Sequence, residues 1–407
     1  MQGYGPLIAL ASATVASIGG TRLSVIAIPW LVLTTTGSPV LTGLVGMAEL
    51  LPYVIAKALI GPLIDRVGAR RVAMASDCLS ALALMLIPLL YWSGLLSVWL
   101  LFPAVALVGV LRAPADAAKQ ALVPAVAALG GMKLERVTGI LGASDRLAGT
   151  LGAAGAGALI ALMGTVPAML VNVAAFLLSA ALVRFGLPRQ EAVAAREGRS
   201  GYRADFTQGW QTLRGDPVLV GLVVMIAITN LFDQAYAIVL LPVWVQTMGL
   251  DVTWVGILLA TFSGGAIAGA GVAAAFAERL PRLLTYVLGF LFAGPTAMLS
   301  LALMPSLPVI LGVLVVAGFA AGFLNPIINA ILFERIPAAM VGRVIALVGA
   351  LAWMLMPFGG LYAGVLTDAF GLVLALGLTG LLYLLAALSP LAIPSFRQMN
   401  RRPAATA

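Results

Sequence analysis

The chain has 407 residues, of which 62% are hydrophobic and only 9% are charged. Soluble globular domains contain roughly 45–50% apolar and about 25% charged residues, so this composition excludes an ordinary soluble protein and indicates an integral membrane protein. The formal net charge is +8, with no histidine and the single cysteine Cys78. The cations do not form one patch with interleaved aromatics, which argues against nucleic acid as a partner, and one cysteine cannot build a disulfide framework.

Apolar runs long enough to cross a bilayer, about 20 residues each, follow one another along the whole chain. We therefore predict an all-α membrane protein with twelve transmembrane helices in two pseudo-symmetric six-helix bundles. The predicted domains are an N-terminal bundle over 1–185, a cytoplasmic linker over 186–216, a C-terminal bundle over 217–393 and a cytoplasmic tail over 394–407. The twelve runs cover 7–33, 41–64, 72–92, 96–118, 137–163, 166–185, 217–245, 252–277, 283–304, 307–333, 341–366 and 372–393.

The charges between runs are distributed unequally. Basic residues cluster after the even-numbered runs and in the tail, whereas the alternate segments carry only Asp251 and Asp368. Because cytoplasmic loops retain Lys and Arg, we expect a multi-pass protein of the inner or plasma membrane with both termini in the cytoplasm. Within the linker, residues 206–213 predict a short amphipathic helix that lies on the membrane surface.

Glycine and proline recur at matching positions in the two halves of the chain. A shift of 207 residues superimposes Gly142 on Gly349, Gly152 on Gly359, Gly157 on Gly364 and Gly164 on Gly371, and a shift of 213 superimposes Pro29 on Pro242 and Gly43 on Gly256. The alternative is coincidence, since Gly and Pro are common in membrane helices. We favour a parallel duplication, because the acidic-basic pair Asp65-Arg66 also coincides with Glu278-Arg279.

The segment GPLIDRVGARR, residues 61–71, resembles the signature Gly-x-x-x-Asp-Arg-x-Gly of the major facilitator superfamily. Segments 26–38, 111–124 and 151–164 are similar to the drug, macrolide and siderophore exporters of that family. The resemblance implies the family's fold, transport by alternating access, export as its direction and a cytoplasmic gate at the motif. Ala69 departs from the motif, and Ala153 stands after Gly152 where antiporters commonly have proline. The matching residues are Gly61, Asp65, Arg66, Gly68, Arg70 and Arg71, with Glu278 and Arg279 as a degraded second copy.

Ionisable residues inside the runs are functional candidates, because a charge at membrane depth costs several kcal/mol unless it is paired or hydrated. Arg22 and Glu49 both lie about 22 Å from the cytoplasmic ends of their runs, so they can pair. Lys57 and Asp77 form a second depth-matched pair nearer the cytoplasm. Four further residues at shallow depth predict a cytoplasmic gate network: Arg112, Asp116, Asp145 and Arg146.

Asp233 is the acid that lies deepest in the second half, about 24 Å into the seventh run, with Asn230 and Gln234 beside it. No histidine is available for proton transfer. We therefore predict that Glu49 and Asp233 carry proton coupling, with Arg22 competing for the ionised form. The alternative is that each acid is a satisfied buried group that fixes helix register.

These features predict a secondary transporter with its substrate site between the halves, and the resemblance implies that it exports small amphipathic molecules, with protons as the expected coupling ion. We expect a monomer in the lipid bilayer without cofactor, metal or catalytic residues. A dedicated natural-product or siderophore exporter and an uncoupled facilitator remain alternatives. A channel or a membrane enzyme is disfavoured, because the sequence shows neither the repeated filter elements of a channel nor the nucleophile and base of an enzyme. Side chains that can line the substrate path, or merely pack, are Tyr53, Asn230, Gln234, Tyr236, Asn325, Trp353 and Met356.

Overall fold

The computed structural model describes residues 4–188, 202–276, 279–304, 306–337 and 340–400. Within these ranges the regular structure is helical and contains no strand. Twelve helical segments in this part of the chain are long and apolar enough to cross a membrane. The predicted all-α fold with twelve spans is therefore confirmed.

The first six spans and the segment between the second and the third contain eight helices. They are α1 (Gly5–Thr36), α2 (Pro39–Leu59), α3 (Gly61–Val67), α4 (Ala69–Trp92), α5 (Val98–Ala121), α6 (Val123–Gly130), α7 (Leu134–Met163) and α8 (Thr165–Gly186). Proline lies at several of these helix starts, because its missing amide hydrogen is not needed in the first turn of a helix. Pro39 opens α2 behind Ser38, whose side chain caps the Leu41 amide, and Pro124 lies in the first turn of α6.

The remaining helices begin with α9 (Tyr202–Gly215), which corresponds to the helix predicted near 206–213. Its Leu213 is buried in an apolar cluster with Leu219, Leu332 and Val344. The further helices are α10 (Pro217–Ala235), α11 (Leu241–Thr247), α12 (Thr253–Phe276), α13 (Arg282–Ala293), α14 (Pro295–Leu303), α15 (Leu307–Gly322), α16 (Leu324–Arg335), α17 (Val341–Trp353), α18 (Met356–Phe370) and α19 (Leu372–Ala392). A π-helical turn, Tyr236–Leu240, joins α10 to α11, and a 3-10 helix, Pro394–Asn400, follows α19.

By internal packing the chain forms two units. The first unit comprises Met1–Glu197 and Leu241–Ala260, and the second comprises Gly198–Leu240 and Thr261–Ala407. The predicted domain limits, with a linker over 186–216, remain a prediction.

The glycines that recur at matching positions of the two halves have a role in the backbone. Gly164 ends α7 and precedes α8 with φ +86° and ψ 161°, and Gly371 ends α18 and precedes α19 with φ +79° and ψ 162°. These backbone angles are accessible to glycine and strained for other residues. The same turn therefore recurs at the two positions that the 207-residue shift superimposes, which supports duplication over coincidence.

The motif segment 61–71 is not an open turn. Residues 61–67 form α3, and Gly68, with φ +92°, separates it from α4. The Arg70 guanidinium donates to the backbone carbonyl groups of Val183 and Arg184 at the end of α8. The last carbonyl groups of a helix have no partner within it, so this cation stabilises the C-terminus of α8.

A buried ion pair joins three helices of the first unit. Lys119 Nζ in α5 lies 2.9 Å from Asp77 Oδ2 in α4, and the Ser179 hydroxyl in α8 donates to the same carboxylate at 2.6 Å. Asp77 and Lys119 are both almost inaccessible to solvent. Each charge is therefore neutralised inside the bundle, and the loss of one would leave the other uncompensated.

A close glycine contact also occurs within the first unit. A Cβ atom built on Gly256 of α12 would lie 2.6 Å from the Ala153 carbonyl oxygen of α7, and one on Gly157 would lie 3.0 Å from Cα of Thr253. Both distances are shorter than ordinary van der Waals contact. The two helices therefore approach so closely because glycine occupies these positions.

We expect Gly256→Ala to lower the free energy of unfolding by about 1–3 kcal/mol, since the added methyl group must displace the α7 backbone. Thermal or denaturant unfolding of the purified protein measures the effect. Gly264→Ala in the same helix is the matched control, because a Cβ atom there has no neighbour within 4 Å. Equal effects of the two substitutions would contradict the packing argument.

Asp77→Ala is expected to cost about 3–5 kcal/mol of stability, because Lys119 would keep a buried charge without its acid. The double variant Asp77→Ala, Lys119→Met should recover most of that loss. A double-mutant cycle on the free energy of unfolding tests the coupling. Additive effects of the two single substitutions would show that the pair does not act as a unit.

Candidate functional site

The central ion pair of the first unit joins α2 to α5. Arg112 Nη1 donates to Glu49 Oε1 at 2.8 Å, and both residues are less than 10% exposed. Gly109 lies one turn before Arg112 and directly against the backbone carbonyl group of Glu49. A side chain there would separate the helices, so the glycine permits the approach that brings the guanidinium to the carboxylate.

A second carboxylate stands next to the same arginine. Arg112 Nε lies 3.9 Å from Asp116 Oδ2, beyond hydrogen-bonding distance, and this buried N–H has no partner among the described residues. The Tyr53 hydroxyl donates to Asp116 at 2.9 Å, and its ring lies 4.6 Å below the guanidinium carbon. Arg112 is thus paired with one acid and positioned beside another that a tyrosine holds.

Lys57 extends this cluster toward the C-terminal end of α2. Its ammonium group donates to the Tyr53 hydroxyl at 3.3 Å and lies 5.5 Å from the centre of the tyrosine ring. Tyr53 therefore contacts Lys57, Arg112 and Asp116 at once. Tyr53 therefore connects the charged side chains of this cluster, and it also lines a cavity.

The ion-pair partners of Glu49 and Asp77 differ from the predicted ones. Glu49 pairs with Arg112 and not with Arg22, whose exposed side chain lies beside Gly149 and Gly152 of α7. Asp77 pairs with Lys119, which replaces the expected Lys57–Asp77 pair. Ending the fourth run at 118 made Arg112 shallow and left Lys119 in a turn, whereas the fourth helical segment continues to Gly130. The counted depths therefore did not identify the partners of Glu49 and Asp77.

The predicted gate residues separate into two groups. Asp116 and Asp145 line one cavity of the first unit, and Arg112 lies beside Asp116. Arg146 is exposed and does not line this cavity. Gly61, Asp65, Arg66 and Arg71 are exposed along α3 and the start of α4. Arg279 lies 5.9 Å from the Phe276 ring, and Glu278 lies outside the described residues.

In the second unit, Asp233 lies 16 residues from the start of α10 and one turn before the π-helical turn. Its carboxyl group is within hydrogen-bonding reach of the Tyr383 hydroxyl, which also meets Thr229. Tyr383 is buried, whereas Asp233 retains an exposed surface. Asp233 therefore lies next to Tyr383 of α19 and keeps an accessible surface.

The remaining candidates for a substrate path have mixed surroundings. Asn230 donates to the Ala352 carbonyl oxygen at 2.9 Å, so it fixes α10 to α17. The Tyr236 hydroxyl is buried without a partner in the described part of the chain, at a π-helical turn of the kind often found near functional sites. Gln234 packs near Gly359, Asn325 and Trp353 are exposed, and Met356 is half-buried.

Sequence reasoning did not assign Lys119, Ser179 or Tyr383 to a site. Lys119 was placed in a turn because the fourth run was ended at 118, yet it lies in α5 on the same face as Arg112 and Asp116. The spacing of four and then three residues was the available signal. No sequence signal marked Ser179 or Tyr383, since a single hydroxyl group in an apolar run is common.

Comparison with known proteins extends over nearly the whole chain. The family model described as Major Facilitator Superfamily matches residues 10–256 and 223–406. The chain is 31% identical to the "Multidrug efflux pump Tap" of Mycobacterium bovis, with 98% of this chain and 96% of that protein covered. It is 28% identical to the protein of the same name from Mycolicibacterium fortuitum, with 97% of each covered.

A crystal structure of a mutant of the nucleoside transporter NupG is similar to this chain with a TM-score of 0.76 at 13% identity, and the match covers 97% of this chain and 99% of that one. Identity at this level shows the fold and nothing about substrate. The family model and the relatives carry the assignment. The chain therefore belongs to the major facilitator superfamily of membrane transporters, as its motif segment and its twelve spans had indicated.

Proposed function

We propose that this chain is a proton-driven exporter of small amphipathic molecules that works by alternating access. Relatives at 31% and 28% identity are named multidrug efflux pumps, and each match covers at least 96% of both chains. These names support efflux as the direction. The inner or plasma membrane, with both termini in the cytoplasm, is the location that the charge bias favours.

The observation that carries the proton-coupling proposal is the arrangement around Arg112. The guanidinium has two acids within 4 Å, one hydrogen-bonded and one just out of reach. Its Nε–H has no acceptor. A buried donor without a partner is costly, so a small shift toward Asp116 would be favourable once the Glu49 bond weakens.

Proton binding supplies that weakening. A proton that adds to the Glu49 carboxylate removes its negative charge and its attraction for Arg112, and the guanidinium then turns to Asp116, which the Tyr53 hydroxyl holds. Proton release reverses the change. Because α2 and α5 cross at Gly109, an exchange of partners at Arg112 alters the contact between these two helices.

Asp233 is the proposed second proton site. It lies 16 residues into α10, without a salt bridge to any of the described residues, and the Tyr383 hydroxyl lies close enough to interact with its carboxyl group. A carboxyl group in such surroundings changes charge without breaking an ion pair. The neighbouring π-helical turn can accommodate a local change in helix winding.

Substitution Glu49→Gln should abolish dye accumulation driven by a pH gradient in inverted vesicles, because the amide cannot take up the proton. Ethidium is a suitable dye if the unmodified chain transports it. Counterflow without a gradient should persist, since the amide can still accept a hydrogen bond from Arg112.

The matched control is Glu49→Asp, which keeps a carboxylate and should retain gradient-driven accumulation in part. Undiminished accumulation by the glutamine variant would remove Glu49 from the coupling mechanism. Export by the unmodified chain that ignores the gradient altogether would favour an uncoupled facilitator.

Asp233→Asn should likewise eliminate gradient-driven accumulation while counterflow continues. Tyr383→Phe removes only the hydroxyl group and should reduce the gradient-driven rate by about fivefold, the loss expected for one hydrogen bond of about 1 kcal/mol. Initial rates in the same vesicles measure both variants. If neither substitution changes the response to the gradient, Asp233 is a structural residue.

A further inference from the structure

The short 3-10 helix that follows the last span is packed against the second unit. It comprises Pro394–Asn400, and two of its seven residues, Phe396 and Met399, are each only 1% exposed. A short segment after the last helix stays in place only where its side chains are bound. We call residues 394–400 the clasp, because they contact three helices of this unit.

The Phe396 ring occupies space that a glycine leaves open in α10. A Cβ atom built on Gly221 would lie 2.7 Å from two atoms of this ring. The ring also stacks on Tyr286 of α13, with 6.3 Å between the ring centres and 29° between the ring planes. Aromatic pairs at such a separation attract each other beyond the effect of the area that they bury. Phe396 therefore joins α10 to α13.

Two polar contacts bind the clasp to helix ends. The Leu283 amide, in the first turn of α13, donates to Asn400 Oδ1 at 3.1 Å. The residue before this helix is Pro281, whose side chain cannot accept a hydrogen bond, so the clasp supplies the cap that the local sequence lacks. At the end of α16, Arg335 Nη2 donates to the Gln398 carbonyl oxygen at 2.7 Å.

Arg335 also connects the clasp with the start of α10. Its Nη1 donates to Asp216 Oδ2 at 2.7 Å, and Asp216 Oδ1 accepts from the Val218 amide at 2.8 Å as the N-cap of α10. One guanidinium group therefore holds both the cap of α10 and the backbone of the clasp. Because α10 is continuous over Pro217–Ala235, a constraint on its start also constrains Asp233 in the same helix.

We infer that the clasp positions α10 for transport, with Phe396 as its central positioning residue. Phe396 is not among the candidate substrate or proton-coupling residues, and it acts through the helix that carries Asp233. A bundle rocks as one body only when its helices keep their mutual contacts during the movement. Release of the clasp would let the start of α10 move by itself, which slows the transport cycle and leaves substrate affinity unchanged. The link to transport rests on the proposed export.

The first test is hydrogen–deuterium exchange of the purified full-length protein, which requires no transport. Phe396→Ala should raise the exchange rates over residues 216–222 and 282–286 by about tenfold, the factor that corresponds to part of the burial energy of one phenylalanine ring. Phe333→Ala is the matched control, because Phe333 of α16 is 59% exposed. Unchanged exchange in Phe396→Ala, or an equal rise along the whole chain, would overturn the inference.

Paired variants separate positioning from a general loss of packing. Gly221→Ala places a methyl group against the Phe396 ring and should speed exchange in the same two regions, and the added substitution Phe396→Leu should reverse the effect. Asn400→Ala should speed exchange at Leu283 by about fivefold, whereas Asn400→Asp keeps an acceptor for this amide and should not. If the double variant exchanges as fast as Gly221→Ala, the ring contact does not hold α10.

The second test measures initial rates of gradient-driven dye accumulation in inverted vesicles. Phe396→Ala should lower the maximal rate severalfold and leave the dye concentration at half-maximal rate unchanged, as expected for a residue that affects the cycle and not binding. Phe333→Ala should match the unmodified chain. A higher half-maximal concentration without a lower maximal rate would contradict a positioning role.

Failure of this inference is distinguishable from failure of the proposed export. If the unmodified chain moves no dye, export is refuted, and the exchange rates still decide whether the clasp holds α10. Gradient-driven export by Phe396→Ala at the full rate would sustain export and refute the role of the clasp in transport.

Discussion

A charge inside a membrane-spanning bundle must find a counter-charge, and the first unit meets this constraint mainly along one helix. Helix α5 carries Arg112, Asp116 and Lys119 on one face, and each contacts a neighbouring helix. Arg112 and Asp116 contact α2, and Lys119 contacts α4. The packing of this unit therefore depends on ion pairs as well as on apolar surface, and glycine at 109 provides the close approach that they need.

The two units share a type of glycine turn between helices, but their ion pairs lie in different places. The glycine turns at 164 and 371 have the same backbone angles, whereas the described spans of the second unit contain no counterpart of the Glu49–Arg112 pair. The second unit instead places its ion pairs near helix ends. Arg335 contacts Asp216 at 2.7 Å, and Arg282 contacts Glu334 at 2.6 Å. The glycine turns that the helices require therefore recur in both units, whereas the buried ion pairs do not.

The sequence was sufficient for the helices and insufficient for the partners of the buried charges. Hydropathy and turn residues follow local rules, so twelve spans and the repeat could be recognised without a structure. Depth was counted from the expected ends of the runs, and it paired Glu49 with Arg22 while making the actual partner, Arg112, too shallow, because the fourth helical segment continues to Gly130 rather than ending at 118. Which cation contacts Glu49 depends on the azimuth of each helix and on the crossing at Gly109, and neither is encoded locally. Lys119 was missed because a helix end could be placed only to within a few residues.

The different surroundings of the two buried pairs on α5 give them different parts in any movement. Ser179 also binds the Asp77 carboxylate, and among the described residues neither Asp77 nor Lys119 has a second ion-pair partner within 4 Å. Arg112 has an alternative acceptor 3.9 Å away and a donor still unused. If Glu49 takes up a proton as proposed, the contact at Arg112 changes while the contact at Lys119 persists. Helix α5 would then pivot about its Lys119 end, so that a proton bound at one residue becomes a tilt of a whole span against α2.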